Sequence, residues 1–204
     1  MKIISAEFVT SAAAGGAATG IPRDGLPQIA MAGRSNVGKS RLINALARRQ
    51  IARTSAAPGK TRLANIYRLT VEGGGPGRRD LYLVDLPGYG YARGGADSAK
   101  ELAQVAEGYF AATNAICLLL VDSRHPGLEA DAQAFRWLRT LGVEPVIVAT
   151  KIDKLTRSER VKNLKELGRV FDKAVLPVSA ERGEGLDELW TSLARMARAT
   201  KEQR

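Results

Sequence analysis

The chain has 204 residues, with 31 Lys and Arg against 21 Asp and Glu, giving a formal net charge of +10. That length suits one domain with a proper core that removes about 70% of the unfolded surface from water, and the cationic excess points to a polyanionic partner, most simply RNA or an RNA-containing particle. Aromatic residues are scarce and none interleave with the basic ones, no run approaches the ~20 apolar residues of a membrane span, and a lone cysteine, Cys117, excludes a disulfide framework.

In chain order, Ile3 to Val9 alternates like a strand, and its acid, Glu7, argues against an export signal. The expected location is the cytoplasm. Thr10 to Pro27 is a loose Ala-, Gly- and Pro-rich connection, and Gln28 to Ala32 is an apolar strand. It feeds Gly33-Arg34-Ser35-Asn36-Val37-Gly38-Lys39-Ser40, which fits the phosphate-loop pattern G-x-x-x-x-G-K-[ST] and opens a helix over Arg41 to Ala47. Small residues let successive backbone N–H groups turn around a phosphate, and the helix N-terminus adds positive potential. Lys39 would reach the β- and γ-phosphates, and the Ser40 hydroxyl would ligate Mg2+.

Ala64 to Val71 and Asp80 to Asp85 read as two strands joined by a short Gly-rich loop, which favours an antiparallel pair. Asp85-Leu86-Pro87-Gly88 then matches D-x-x-G: Asp85 holds Mg2+ through a water, and the Gly88 N–H meets the γ-phosphate. A further Mg2+ ligand is expected from the preceding segment, where Thr61 is the best candidate and makes that segment a nucleotide-dependent switch.

Ala115 to Asp122, Pro145 to Thr150 and Ala174 to Val178 are nearly continuous apolar runs, as expected for strands covered on both faces. Helical spacing relates Leu102, Val105, Ala106 and Tyr109, then Ala134, Trp137, Leu138 and Leu141, then Leu186, Leu189, Trp190 and Leu193. Thr150-Lys151-Ile152-Asp153 resembles the guanine-reading [NT]-K-x-D motif. A carboxylate there accepts from guanine N1–H and the 2-amino group together, whereas adenine would leave it unpaired. Lys151 would lay its stem over the purine, and Val178-Ser179-Ala180 matches the S-A loop whose backbone N–H meets guanine O6. Four motifs in this order, each at a strand's C-terminal end, predict an α/β, three-layer P-loop NTPase of the Ras-like G-domain type, its sheet mostly parallel with one antiparallel strand. A single G domain is expected, with a core over about residues 25–199.

These residues together resemble the EngB/YihA group of small bacterial GTPases, translation-associated relatives of Era. The likeness is carried by the phosphate loop, by Ala52-Arg53-Thr54-Ser55 with Pro58-Gly59-Lys60-Thr61, by Asp85 to Ala92, and by Asp122-Ser123-Arg124-His125-Pro126. It implies a GTPase that acts in large-ribosomal-subunit assembly and is needed for normal septation. It further implies nucleotide contacts at Gly33 through Ser40, at Gly59, Lys60, Thr61, Arg62 and Leu63, at Asp85 through Gly88, at Thr150 through Asp153, and at Val178 through Ala180, with Mg2+ on Ser40 and Thr61. Lys39, Thr61 and Gly88 are the residues expected to act on the transferring phosphate. Thr150 stands where Asn stands elsewhere, which removes an amide that braces the phosphate loop and predicts moderate guanine affinity. Asn36 is the expected K+ ligand, after K+-dependent relatives.

Phosphoryl transfer is mostly positioning and charge stabilisation. Tyr89 stands where Ras-like proteins carry a water-orienting glutamine, so slow hydrolysis is expected of the isolated protein. His125 reads as a turn residue. A basic helix face with Arg157, Arg160, Lys162, Lys165, Arg169 and Lys173, opposite a core stripe of Val161, Leu164, Leu167 and Phe171, is the expected rRNA contact, extended by Arg195, Arg198, Lys201 and Arg204. The protein is expected to be a monomer. Two other readings fit part of the pattern: an RNA-binding module with nucleotide as a structural ligand, and an ATP-dependent enzyme, against which Asp153 argues.

Overall fold

The computed structural model describes residues 1–12, 20–53, 63–73, 77–89 and 95–202. Seven strands form one sheet: β1 (Lys2–Ala12), β2 (Gln28–Gly33), β3 (Ala64–Glu72), β4 (Arg78–Asp85), β5 (Ile116–Asp122), β6 (Val146–Thr150) and β7 (Val175–Pro177). Five helices are described: α1 (Lys39–Ala47), α2 (Gly95–Ala112), α3 (Glu129–Thr140), α4 (Arg157–Phe171) and α5 (Leu186–Glu202). The strand order is β1-β3-β4-β2-β5-β6-β7. β3 is antiparallel to both β1 and β4, while β4, β2, β5, β6 and β7 are mutually parallel. The expected fold class is therefore borne out, with β3 the one reversed strand.

The inner strands β2, β5 and β6 are apolar along most of their length because each has two buried faces, whereas β4 opens on Arg78-Arg79-Asp80 and the edge strand β7 is only half-buried. In β2, Ile29 and Met31 enter the layer that holds α1 and α5, while Ala30 and Ala32 enter the opposite layer. In β5, Leu118 and Leu120 divide from Cys117, Leu119 and Val121 in the same way. Leu42, Ile43 and Leu46 of α1 pack beside Leu189, Trp190 and Leu193 of α5. Tyr109, Phe110, Phe135, Leu138, Leu167 and Phe171 bring α2, α3 and α4 to the other face. Burial pushes the Cys117 thiol well above its ordinary range, which leaves it an inert core residue.

One expected core residue is misplaced. Val161 is 67% exposed, whereas Leu167 and Phe171 are buried and Leu164 is partly so. α4 meets the core mainly through its C-terminal half, and Val161, in its first turns, stands in water.

The consequence for function is directional. All five parallel strands end at one edge, and the loops that leave β2, β4, β5, β6 and β7 meet there.

Candidate nucleotide site

The phosphate loop is shaped by close approach. A Cβ on Gly33, at φ 153°, would lie 2.8 Å from the Leu120 carbonyl oxygen and 2.9 Å from Val37 Cγ1. Only glycine lets the chain leave β2 against β5 in this way. Gly38 then caps α1 in the left-handed region with no side-chain hydrogen bond, and the first turn of α1 carries no acid. The first N–H groups of α1 thus have neither a side-chain cap nor a competing carboxylate, as an anion site requires.

Lys39 is buried, and its Nζ donates to the carbonyls of Gly33 at 3.0 Å and Arg34 at 3.2 Å. Burial lowers its pKa, and the Asp85 charge opposes that shift. A phosphate oxygen in place of those carbonyls would exchange neutral acceptors for charged ones, a stronger pairing. From β4, Asp85 accepts from Ser40 Oγ at 2.7 Å through Oδ2, while its Oδ1 is buried with no hydrogen-bond partner among the described residues. Burial raises the Asp85 pKa, against which Lys39 and Ser40 act. An orphaned carboxylate oxygen beside a hydroxyl is an all-oxygen donor pair that fits Mg2+ and its waters. When bound, Mg2+ would neutralise charge on the transferring phosphoryl oxygens.

Gly88 closes the cradle from the β4 side. A Cβ there would fall 2.8 Å from Lys39 Nζ and from the Ser35 N, so a side chain would push the Asp85–Gly88 turn off the loop. Leu86 N donates to the Met31 carbonyl at 3.2 Å, and Pro87 is buried. Gly59, Lys60, Thr61 and Arg62 lie outside the described residues, as do Thr54, Ser55, Pro58, Gly90, Tyr91, Ala92 and Arg204. Leu63 is described and exposed.

The loops expected to read the base meet at the ends of β6 and β7. Ser179 Oγ donates to Asp153 Oδ1 at 2.7 Å, and Lys154 lies 3.3 Å from Oδ2. Burial pushes the Asp153 pKa upward, yet the bonds from Ser179 and Lys154 prevail and hold the carboxyl below its usual range. Ile152 N donates to the Val178 carbonyl at 3.4 Å, so the two loops share a seam. Lys151, at φ 61°, donates through Nζ to the Asn36 carbonyl at 2.8 Å and to Asp122 Oδ2 at 2.9 Å. Its stem therefore spans from the β6 end to the phosphate loop. Asn36 itself is exposed, at φ 63°.

Thr150 places a hydroxyl where the amide is missing. The phosphate loop keeps a brace without the amide: Thr150 Oγ1 donates to the Val37 carbonyl at 2.8 Å, with the Val121 carbonyl a second acceptor at 3.1 Å. The hydroxyl is buried and takes over the role that an Asn amide would fill.

Comparison with known proteins agrees with this geometry. A family model described as 50S ribosome-binding GTPase matches residues 28–151. The chain is 40% identical over 200 residues to the "Probable GTP-binding protein EngB" of Alkaliphilus metalliredigens, covering 95% of this chain and 91% of that one. The protein of the same name from Geobacter metallireducens is 41% identical over 210 residues, covering 100% and 97%. The chain belongs to the EngB family of GTP-binding proteins. Among solved structures, Aquifex aeolicus Era bound to GDP and aluminium fluoride superposes with a TM-score of 0.70 at 22% identity, covering 83% of this chain and 56% of that one. A crystal structure of an EngB GTP-binding protein gives 0.60 at 22% identity, covering 84% and 99%. These neighbours share the P-loop GTPase fold.

In this EngB-family chain, several structural partners of the site were not assigned roles from sequence. Asp122 accepts from Arg124 N, Nε and Nη2 and from Lys151. Burial raises its pKa, but the hydrogen bonds from Arg124 and Lys151 outweigh that and hold the carboxyl far below its usual range. The available signal was an acid closing an apolar strand, since a buried carboxylate needs partners. Asp131 of α3 accepts from Arg34 Nε at 2.9 Å and Tyr89 OH at 3.1 Å, while Ser35 N donates to the Tyr89 carbonyl at 3.1 Å. Tyr89 thus ties the end of the D-x-x-G loop to the phosphate loop and α3. Asn44 of α1 accepts from Ile51 N and Ala52 N and donates to the Ala52 carbonyl, which fixes the chain as it leaves that helix. His125 sits in the expected turn, its N donating to the Asp122 carbonyl at 3.0 Å.

The basic face of α4 is partly neutralised. Arg160 pairs with Glu184, Arg169 with Glu166 and Lys173 with Glu144, which leaves Arg157, Lys162 and Lys165 without an acidic partner among the described residues.

Proposed function

We propose that this chain is a slow, Mg2+-dependent GTPase that uses the difference between its GTP and GDP states to act on the large ribosomal subunit during assembly. The observation that carries this reading is the convergence of four loops at one sheet edge, where Ser40 meets Asp85 and Ser179 meets Asp153. Gly33 through Ser40 hold the phosphates, Lys39 balances their charge, and Ser40 and Thr61 would hold Mg2+, with Asp85 acting through a water. Gly88 donates its N–H to the γ-phosphate, and Gly59 through Leu63 supply further nucleotide contacts. Asp153, Lys151 and Val178 through Ala180 select guanine. Tyr89 stands where Ras-like proteins carry a water-orienting glutamine, and its hydroxyl is engaged with Asp131, which supports slow intrinsic turnover.

The ribosomal part of the proposal is supported by the family's ribosome-binding description, by the net charge of +10 and by the exposed Arg157, Lys162 and Lys165 on α4. The chain acts as a single G domain and monomer in the cytoplasm, and its loss impairs septation. K+ bound through Asn36 supplies charge that an arginine finger gives elsewhere; equal turnover in matched K+ and Na+ buffers would reject that role. The overall reading is tested by asking which ribosomal particle sediments with protein locked by a non-hydrolysable GTP analogue. Retention on large-subunit precursors, lost with GDP, is expected. Sedimentation independent of nucleotide would favour an RNA-binding module with a structural nucleotide instead.

A further inference from the structure

Arg160, early in α4, reaches back to the base-reading loops. Its Nη2 donates to the Ile152 carbonyl at 3.2 Å and to Glu184 Oε2 at 3.3 Å, and its Nη1 pairs with Glu184 Oε1. Each of these acceptors belongs to one of the two loops that read the base. Ile152 immediately precedes Asp153, and the Glu184 carbonyl accepts from Ser179 N at 2.9 Å. With the bond from Ser179 Oγ to Asp153, a closed ring runs Asp153, Ser179, Glu184, Arg160, Ile152.

The anchor of this ring is stiff. Thr156 and Glu159 form a reciprocal capping box at the start of α4, which fixes the turn that carries Arg160 and keeps the Glu159 carboxylate from competing for it. The Arg160 Nε is buried with no partner among the described residues, so among them its outer nitrogens alone hold the guanidinium. A planar fork can bind a carboxylate with two nitrogens and still offer a hydrogen to a carbonyl; a lysine, as a point charge, holds no such geometry.

We propose that Arg160 is a positioning residue for base recognition, locking the Ile152–Asp153 turn to the Ser179–Glu184 loop so that the Asp153 carboxylate and the Ala180 N–H face the base in fixed register. This rests on the reading of those residues as the guanine site. Arg160 touches no base; it acts through the alignment of Asp153. Loss of the tie costs most where alignment matters most, at the paired contacts from one carboxylate to N1–H and the 2-amino group.

The test is calorimetric binding of GDP, IDP (whose base lacks the 2-amino group) and ADP to the full chain, as wild type, Arg160→Met, Arg160→Lys and Glu184→Gln. Wild type is expected to rank GDP over IDP over ADP. Arg160→Met is expected to weaken GDP about three- to tenfold, the loss of one or two hydrogen bonds, and IDP by less, so that the GDP-to-IDP ratio falls. Arg160→Lys restores little, and Glu184→Gln shifts the ratio the same way and decides the matter should Arg160→Met not fold. An unchanged GDP-to-IDP ratio in the folded variants, even with a lowered melting temperature, overturns the inference and leaves the guanine site standing. No preference for GDP over ADP in the wild type overturns the guanine site itself, and the inference with it.

Discussion

Thr150 shows how much one hydroxyl decides. Its Oγ1 is the brace between the β6 end and the Val37 carbonyl. Thr150→Val keeps the shape and leaves that acceptor without its donor, a cost of about 1 kcal/mol. Nucleotide affinity is expected to fall about fivefold by calorimetry, and an unchanged affinity would mean that the brace is idle. Asp153 makes a sharper case, because an amide reverses the donor and acceptor pattern that meets the base edge. Asp153→Asn is expected to weaken GDP by about a hundredfold or more while xanthosine diphosphate gains; a variant still preferring GDP would contradict the role assigned to the carboxylate. The sequence alone singled out Asp153 and Lys151 as candidates, since their spacing is a motif. It could not carry the ties from Lys151 to Asp122 or from Arg160 to Glu184, which join residues 29 and 24 positions apart.

At the scale of elements, the strands and most helices were legible because burial on both faces writes continuous apolar runs and burial on one face writes the helical period. The β3–β4 pairing was legible from its short loop. Val161 was not, because the period says which residues share a face but not how far the sheet extends beneath them. The β3–β4 hairpin has its own polar clamp: Asp80 accepts from Thr70 Oγ1 and Arg68 Nη2, each at 2.6 Å. The bonds from Thr70 and then Arg68 lower the Asp80 pKa. A folded pKa below the unfolded one means the clamp stabilises above the ordinary carboxylate range and is lost as pH falls through the folded value. Asp80→Asn is expected to lower the melting temperature by about 1–3 °C near neutrality, with the gap to wild type closing below about pH 4. A gap that widened on acidification would contradict the assignment.

For the whole molecule, charge and site face different tasks. At the nucleotide edge Lys39, Asp85 and Thr150 are buried, whereas Arg157, Lys162 and Lys165 stand exposed on α4 beside Val161. If those three cations meet rRNA phosphates, replacing all three with Gln should reduce the salt slope of particle binding by about 2–3 and leave GDP affinity unchanged. An unaltered slope would move the ribosomal contact to another face. Everything else depends on the sheet edge gripping a guanine nucleotide. Calorimetry of GDP against ADP in the presence of Mg2+ tests that most directly. GDP should bind with ADP weaker by about 10⁴ or more, whereas equal affinities, or no heat from either nucleotide, would contradict the assignment of this site.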